Sequence, residues 1–249
     1  MDILDEIAGE VKKTIADGYY EIERKEYVSA SLKSKLDGRF AIVTEIKPAS
    51  PSKGKILEKT VEEVAEEMKK ADGVSVLTEP KYFSGSLRNI GVAKEKTGLP
   101  VLMKDFIVDT SQIDAGEKAG ADVVLLIQSL FDRGYCSLDI DEMIGYAHGK
   151  RLEVLLETHT KEEFSKARET DADILGINNR NLGTMKIDVS NTVEILGKEE
   201  TDKPVISESG IYTAEDVKKV KDAGAKGILV GTSILTSSSI SEKIKELKI

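Results

Sequence analysis

The sequence predicts an α/β protein, a (β/α)8 TIM barrel preceded by an N-terminal helical extension, and three observations predict this fold. Eight short apolar runs begin about 27 residues apart on average along the 249-residue chain, which is the length of one strand–helix unit. Each run is almost continuously apolar, as expected for parallel strands that are covered on both faces. The segments between the runs carry helix-start signals. The alternative is a doubly wound sheet, but the G-x-G-x-x-G turn that usually follows its first strand does not occur in this sequence.

The predicted strands can be placed one by one. They are Phe40–Thr44, Val74–Thr78, Val101–Met103, Asp122–Ile127, Glu153–Leu156, Asp173–Ile177, Val205–Ser207 and Gly227–Val230. Three of the helices between them are predicted to begin at a threonine that an acidic residue follows three positions later, at Thr60, Thr160 and Thr213. Glycines are expected to close helices before the next strand at Gly73, Gly120 and Gly224.

Residues 1–39 precede the first predicted strand. They carry apolar residues at helical spacing, at Ile3, Ile7, Val11 and Ile15, and therefore predict one or two additional helices. This extension either plugs the bottom of the barrel or forms a lid over one end, and the sequence leaves both open. Because no linker-like stretch separates it from residues 40–249, we expect residues 1–249 to form one domain.

Composition excludes several classes of function. The net charge is −9 and the pI about 5, so the molecule as a whole does not attract nucleic acid electrostatically. We expect a cytoplasmic protein with no membrane span, because no window approaches the ~20 apolar residues that a span needs and the N-terminus lacks a signal-peptide core. We also expect a monomer. Cys136 is the single cysteine, which excludes an internal disulfide.

No metal or cofactor is predicted. A lone cysteine cannot build a cysteine-based cluster, and the two histidines, His148 and His159, are distant in sequence. Both histidines are expected to be structural or solvated rather than ligands. Any chemistry would therefore rest on acid, base and hydrogen-bonding side chains.

Charged side chains gather at the predicted C-terminal strand ends, where barrels of this type carry their active sites. Glu45 and Lys47 follow the first strand two residues apart, so both side chains should point the same way. Lys104, Glu157 and Glu208 end the third, fifth and seventh strands. Each alone could be a solvated strand end. Together they predict one rim that can shift pKa values in both directions and support general acid–base catalysis.

The last two loops predict a phosphate site. Ser209-Gly210 and Gly231-Thr232 follow the seventh and eighth strands, where many barrels bind phosphate through backbone N–H groups. Ser50 and Lys53 in the first loop could add contacts. The aromatic residues Phe83 and Phe106, beyond the second and third strands, could flank a flat ring or simply pack their loops.

Seven segments carry a resemblance to a known family. In chain order within residues 40–235 they are Glu45–Gly54, Leu77–Ser86, Leu102–Phe106, Glu157–His159, Gly176–Leu182, Ser207–Ile211 and Gly231–Ser233. Together with the N-terminal extension they resemble the indole-3-glycerol phosphate synthase family of tryptophan biosynthesis. The resemblance implies a carboxy-lyase that acts on 1-(2-carboxyphenylamino)-1-deoxyribulose 5-phosphate. The enzyme would close the ring, release CO₂ and water, and give indole-3-glycerol phosphate.

The resemblance also implies catalytic roles. Lys104 would protonate the ribulose carbonyl oxygen, and Glu157 would act as general base or stabilise a cation. Lys47 would engage the substrate carboxylate and Lys53 would transfer a proton during dehydration, although the division of labour among the lysines stays open. The residues that would position the lysines and the substrate hydroxyls are Glu45 and Asn178. We expect a second lysine nearby to lower the pKa of Lys104.

Binding roles follow from the same resemblance. The phosphate would lie among Ser50, Ser209, Gly210, Gly231 and Thr232. The anthranilate ring would lie between Phe83, Phe106 and Leu182. Arg180 and Glu208 are similar to the rim and network residues of the family.

Other functions remain as alternatives. A phosphoribosylanthranilate isomerase is another phosphate-binding barrel, but it relies on a Cys/Asp pair and no cysteine ends a predicted strand here. A non-catalytic barrel that binds a phosphorylated metabolite would have no need for two lysines and two glutamates on one rim. An RNA-binding or scaffold protein would need a basic face or an aromatic platform.

Overall fold

Eight parallel strands close into a barrel in the computed structural model, which describes residues 3–50, 54–181 and 184–249. The strands in chain order are β1 (Ala41–Ile46), β2 (Ala49–Ser50), β3 (Gly54–Lys55), β4 (Gly73–Leu77), β5 (Val101–Lys104), β6 (Val123–Ile127), β7 (Glu153–Thr158), β8 (Ile174–Asn178), β9 (Val205–Glu208) and β10 (Gly227–Val230). β2 and β3 form a separate antiparallel hairpin. Each of the other strands pairs with its neighbour in sequence, and β10 closes the barrel against β1, with Ala41 opposite Gly227.

Helices surround the barrel and cover its ends. They are α1 (Ile3–Ala16), α2 (Leu32–Gly38), α3 (Val61–Glu67), α4 (Arg88–Thr97), α5 (Thr110–Ala119), α6 (Gln128–Asp132), α7 (Ile140–Gly149), α8 (Lys161–Ala167), α9 (Ser190–Leu196), α10 (Ala214–Asp222), α11 (Thr232–Leu235) and α12 (Ile240–Leu247). A 3₁₀ turn, Met68–Lys70, extends α3. No helix within the described ranges is both long and apolar enough to cross a membrane.

The fold prediction is confirmed. All eight predicted strands form, with boundaries within two residues of the predicted ones, whereas the short polar hairpin was not predicted. Thr60, Thr160 and Thr213 cap α3, α8 and α10 as expected.

The glycine predictions divide. Gly120 and Gly224 follow helices with the left-handed backbone that favours glycine, at φ 95° and 113°. The prediction for Gly73 is wrong because this residue lies inside β4. A glycine at this position leaves room for a neighbouring side chain, since a Cβ atom there would lie 3.0 Å from Cδ1 of Leu32.

Strand alternation separates two apolar layers and sets the height of the site. Side chains on the outer faces of the strands, such as Ile42, Val124 and Leu156, pack under the helices. Side chains two residues apart on the inner faces fill the barrel, among them Val43, Leu102, Leu155 and Ile206. Two residues further along each of these four strands stand Glu45, Lys104, Glu157 and Glu208. The sequence thus changes from apolar to charged at one level of the barrel interior.

The N-terminal extension covers both ends of the barrel, so the lid and the bottom plug that the sequence left open as alternatives both occur. α1 lies over the mouth, where Leu4 and Ile7 line the cavity and Glu6 accepts a hydrogen bond of 2.8 Å from the Tyr82 hydroxyl. α2 lies under the opposite end. Its first backbone N–H groups, at Leu32 and Lys33, donate to the carboxylate of Glu153 at the start of β7, at 2.9 and 3.1 Å. The two helices therefore cover opposite ends of the barrel.

Candidate active site

A layer of charged side chains separates the apolar barrel interior from the mouth. Glu45, Glu157 and Glu208 are only 1–3% exposed, and Lys104 between them is mostly buried. Buried charges are costly unless each is paired. The pairing within this layer therefore determines what the site can do.

Lys104 is shared between two carboxylates. Its Nζ lies 2.8 Å from Oε2 of Glu157 and 3.2 Å from Oε2 of Glu208. Burial alone would lower the pKa of Lys104, but the negative charges of Glu157, Glu208 and Glu45 outweigh burial and raise it. The expectation that a second lysine lowers this pKa is therefore wrong, because Lys104 is surrounded by carboxylates.

Glu45 and Lys47 form the neighbouring ion pair. Nζ of Lys47 lies 2.5 Å from Oε1 of Glu45, so both side chains point into the mouth. Gly231 makes room for this pair, since a Cβ atom there would lie 2.4 Å from the Glu45 oxygen. The second lysine of the mouth thus has a carboxylate of its own.

The two carboxylates that share Lys104 differ in acidity. Burial would raise the pKa of Glu157, but Lys104 and His159 hold it well below its usual range. Burial and the neighbouring Glu157 raise the pKa of Glu208 to about 8, against the opposing effect of Lys104. Near neutral pH Glu157 is thus ionised and Glu208 protonated. Acid–base catalysis commonly uses two carboxyl groups in these two states.

Space for Glu208 comes from β8. A Cβ atom on Gly176 would lie 2.4 Å from Oε1 of Glu208, so a larger residue would displace the carboxyl group. That oxygen is buried and has no hydrogen-bond partner among the described residues. An unpartnered buried oxygen is consistent with the raised pKa of this group.

His159 belongs to the same cluster, which the sequence reasoning missed by treating it as structural or solvated. Its side chain is 7% exposed, and Nε2 lies 3.2 Å from Oε1 of Glu157. The available signal was spacing, because His159 follows Glu157 by two residues, as Lys47 follows Glu45. The same strand argument that paired the first two residues applies to the second two.

Asn178 and Arg180 border the cavity at the end of β8. Oδ1 of Asn178 accepts a hydrogen bond of 3.0 Å from the backbone N–H of Arg180. Arg180 also forms an isolated antiparallel bridge with Ile187. These contacts hold the loop after β8 against the mouth.

The loop after β9 has a left-handed backbone at two successive residues, Ser209 with φ 67° and Gly210 with φ 83°. Asn179 supports it from below. Its Nδ2 donates to the Ser209 carbonyl and to Oγ of Ser207, both at 3.0 Å. Its Oδ1 accepts from the N–H and hydroxyl of Thr192, at 3.1 and 2.8 Å. No local pattern in the sequence distinguishes Asn179 from its neighbour Asn178.

The predicted phosphate-binding residues lie around this loop. Gly231 follows β10 and Thr232 begins α11, and the hydroxyl of Ser233 donates a hydrogen bond of 2.8 Å to the Ile211 carbonyl, which ties the start of α11 to the loop after β9. Ser50, on the hairpin after β1, lines the same cavity. Backbone amides and hydroxyls thus gather on one side of the mouth, as an anion requires.

An apolar wall lies on the same cavity. The rings of Phe83 and Phe106 have centroids 5.9 Å apart and planes tilted by 32°. Glu79 fixes the loop that carries Phe83, because its carboxylate accepts backbone hydrogen bonds from Lys81, Tyr82 and Phe83 at 2.7 to 3.1 Å. The sequence did not predict that Glu79 or the apolar residues of α1 would contribute to the site. The wall offers a surface for a flat ring.

The described residues of the predicted site surround one cavity of about 270 Å³. They are Glu45, Lys47, Ser50, Phe83, Lys104, Phe106, Glu157, Asn178, Arg180, Glu208, Ser209, Gly210, Gly231 and Thr232. The other two predicted residues, Lys53 and Leu182, lie outside the described residues. Within the described ranges, no cluster of three or more histidine, cysteine or acidic residues is arranged to hold a metal ion.

Comparison with known proteins gives a consistent result. Residues 6–247 match the family model described as indole-3-glycerol phosphate synthase. The chain is 42% identical to the indole-3-glycerol phosphate synthase of Methanocaldococcus jannaschii, with 100% of both chains covered. It is 40% identical to the enzyme of that name from Bacillus cereus, with 99% of this chain and 98% of the relative covered.

Two solved structures are similar in fold alone. Thiamine phosphate pyrophosphorylase from Pyrococcus furiosus superposes with a TM-score of 0.61 at 18% identity, covering 88% of this chain and 96% of that chain. The N-acetylmannosamine-6-phosphate 2-epimerase from Clostridium perfringens superposes with a TM-score of 0.62 at 17% identity, covering 89% and 96%.

Proposed function

This chain belongs to the indole-3-glycerol phosphate synthase family, and we propose that the cavity at its barrel mouth is where the indole ring is closed. The protein is a carboxy-lyase of tryptophan biosynthesis. It converts 1-(2-carboxyphenylamino)-1-deoxyribulose 5-phosphate into indole-3-glycerol phosphate, CO₂ and water. The proposal concerns which residues do this and how.

One observation carries the assignment of the site. The buried charged layer, the apolar wall of Phe83 and Phe106, and the loops rich in amides and hydroxyls all line one cavity. The substrate has a part to match each of them: an aromatic ring that bears a carboxylate, a carbonyl that must be protonated, and a phosphate. Binding at both ends brings the reacting carbon atoms together and converts binding energy into orientation.

The ends of the substrate have matching surfaces. The phosphate lies among Ser50, Ser209-Gly210 and Gly231-Thr232, whose backbone and hydroxyl groups are hydrogen-bond donors. The ring packs on Phe83 and Phe106. Lys47 supplies the cation for the substrate carboxylate and is held toward the cavity by Glu45.

Ring closure requires a proton at the carbonyl oxygen. As the ring carbon that bears the carboxylate attacks the carbonyl carbon, Lys104 donates a proton and the oxygen becomes a hydroxyl group. The raised pKa ensures that Lys104 enters this step protonated. The bond to the carboxylate then breaks, its electron pair restores the aromatic ring, and CO₂ leaves.

Dehydration completes the reaction. The hydroxyl leaves as water after it receives a proton from a lysine, the role predicted for Lys53. Glu157 accepts the proton lost from the adjacent carbon, for which its lowered pKa keeps it ionised. Asn178 and Arg180 border the cavity and position the substrate hydroxyls.

We also propose that residues 1–249 act as one domain and as a monomer in the cytoplasm. α1 and α2 pack on opposite ends of the same barrel, which supports a single domain. Sedimentation at micromolar concentration tests the monomer, and a dimer that persists on dilution would contradict it.

A direct assay tests the function. Purified protein is incubated with 1-(2-carboxyphenylamino)-1-deoxyribulose 5-phosphate, and the indole fluorescence of the product is followed. We expect turnover without added metal or cofactor. Failure to form an indole product with folded protein would overturn the proposal.

A further inference from the structure

His159 is a buried titratable group to which the mechanism above gives no role. It lies just past the end of β7 with a side chain that is 7% exposed. Nε2 lies 3.2 Å from Oε1 of Glu157, and Nδ1 lies 3.4 Å from Oε2 of Glu163 on α8. Both ring nitrogens therefore face a carboxylate at ion-pair distance, although without the alignment of a hydrogen bond.

This arrangement favours the charged form of the ring. A neutral imidazole has one N–H group and one lone pair, so it would direct a lone pair at one of the two carboxylates. An imidazolium presents N–H groups to both. Burial would lower the pKa of His159, but Glu157 and Glu163 raise it to about 9, so electrostatics and geometry agree.

The described residues around His159 carry few other charges. β7 contributes Glu157 and α8 contributes Glu163, while α9 contributes the neutral amide of Asn191, whose Nδ2 donates 3.1 Å to the His159 carbonyl. Lys104 of β5 lies on the other oxygen of Glu157, at 2.8 Å. Glu157 is thus placed between two cations.

Among the described residues, Glu208 has one cationic partner where Glu157 has two. It shares Lys104 at 3.2 Å, and its second oxygen has no described hydrogen-bond partner. A proton held by the pair of carboxyls is therefore more stable on Glu208 than on Glu157. Without the charge of His159, the two carboxyls would compete for that proton on similar terms.

We propose that His159 is a positioning residue of the reaction: as an imidazolium it keeps Glu157 ionised and leaves the exchangeable proton of the cluster on Glu208. This inference rests on the proposed function of the cavity. His159 itself neither gives nor takes a proton in the reaction. It acts through Glu157, which touches the substrate.

The substitution His159→Gln tests this role by its pH profile. Loss of the positive charge raises the pKa of Glu157. We expect the acid limb of the kcat profile to move up by about one pH unit, kcat on that limb to fall by up to about tenfold, kcat above the limb to stay near the wild-type value, and KM to change little. His148→Gln replaces the other histidine, which lies on α7 away from the cavity, and should leave the profile unchanged.

A purely structural His159 would give a different result. In that case His159→Gln would lower kcat by the same factor at every pH, or would leave kcat unchanged. Either outcome overturns the proposal.

A titration without substrate provides a second test that needs no folded His159 variant. The protein has two histidines, so ¹³C-labelled histidine gives two NMR signals, and His148→Gln identifies the signal of His159. We expect that signal to titrate with a pKa of about 9. A pKa at or below the ordinary value, about 6.5, would overturn the proposal.

Two substitutions on the first turn of α8 form a matched pair. Glu163→Gln removes one of the carboxylates that face His159, so the His159 signal should titrate at lower pH. Glu162→Gln removes an exposed carboxylate from the same turn and should not shift it. Equal shifts in both variants would contradict a specific contact.

Failure of this inference is distinguishable from failure of the proposed function. If wild-type protein forms no indole product, the function is wrong, whatever the His159 titration shows. If wild-type protein turns over normally and His159 titrates as a neutral ring, the function stands and the role of His159 is wrong.

Discussion

Two buried clusters of opposite charges lie at the two ends of the barrel, and they are built differently. At the bottom, Lys94 of α4 pairs with Asp122, just before β6. Oδ1 of Asp122 also accepts from the N–H of Ala30 at 2.7 Å, and Oδ2 accepts from the N–H of Val101 at 2.8 Å. Each oxygen of this carboxylate has a backbone donor, and within the described part of the chain the lysine pairs with no second carboxylate.

At the mouth the same residue types are short of partners. One ammonium, on Lys104, serves both Glu157 and Glu208, and one oxygen of Glu208 has no described hydrogen-bond partner. A saturated ion pair ties segments of chain together, and a change of protonation would only cost stability. An undersupplied cluster can exchange protons and accept a ligand. The difference is thus one of hydrogen-bond supply rather than of residue type.

The largest expected effect is the loss of turnover when Lys104 at the mouth is replaced, and it should be absent when Lys94 at the bottom is replaced. Lys104→Ala should lower kcat by about 10²–10⁴-fold, because it removes the proposed acid, while the dissociation constant for inorganic phosphate should change little. Steady-state kinetics and phosphate titration measure the two effects. Near-normal turnover would refute the role of Lys104.

Lys94→Ala is the matched substitution at the bottom. It leaves Asp122 buried without its cation, so we expect unfolding in urea to show a loss of about 3–5 kcal/mol. The kcat of the protein that stays folded should be unchanged. If Lys94→Ala lowers kcat as much as Lys104→Ala does, the two clusters do not differ in the way described.

The next effect is the pH dependence of stability at the mouth. The folded-state pKa of Glu208, about 8, lies above the ordinary value of 4.5, so between these pH values the folded state holds a proton that the unfolded state releases. The free energy of unfolding therefore falls as pH rises through this window, by up to about 1.4 kcal/mol per pH unit. Glu208→Gln should remove this contribution.

Urea unfolding of wild type and Glu208→Gln at several pH values measures the difference. The comparison must be between the two proteins, because His159, with a pKa raised from 6.5 to about 9, adds a slope of the same sign at higher pH. Parallel curves for the two proteins between pH 5 and 8 would contradict the protonated Glu208.

The sequence predicted the barrel well because parallel strands covered on both faces need near-continuous apolar runs. It also predicted which charges end the strands. It could not predict the hairpin of Ala49–Ser50 with Gly54–Lys55, which has no apolar run. The spacing in α1 indicated a buried face without indicating which end of the barrel would cover it.

Long-range pairing explains the errors at the site. The pKa of Lys104 was expected to be lowered because only the nearby lysine was taken into account. The carboxylates that raise it include Glu208, which is 104 residues away in sequence. Strand register decides such contacts, and it is not visible in local patterns. His159 had the same spacing signal as Lys47, yet a single histidine after a strand is usually structural.

The polar cluster around Asn179 sharpens the comparison. It lies at the mouth, but its hydrogen-bonding groups have partners, as those of the cluster at the bottom do. The side-chain amide of Asn179 donates from Nδ2 to Ser207 and to the Ser209 carbonyl, and its Oδ1 accepts from Thr192. Asn179→Ala frees the loop proposed to bind phosphate. We expect KM to rise about five- to thirtyfold, with a smaller change in kcat, because the loop loses its bond to Nδ2 and the other three hydrogen bonds of the Asn179 side chain are lost with it. An unchanged KM would show that the loop holds its shape without Asn179.

The smallest effect is expected at Ser207, in the same cluster but one step away from the loop. Its Oγ accepts from Asn179 at 3.0 Å and lies 2.7 Å from the hydroxyl of Thr192. Ser207→Ala removes this hydroxyl, but Asn179 keeps its bond to the Ser209 carbonyl, and Thr192 keeps its bond to Oδ1 of Asn179. Thermal or urea unfolding should show a loss of about 1 kcal/mol, with KM within about twofold of wild type. A rise in KM equal to that of Asn179→Ala would mean that the hydroxyl network as a whole, rather than the one bond to the loop, sets the phosphate-binding geometry.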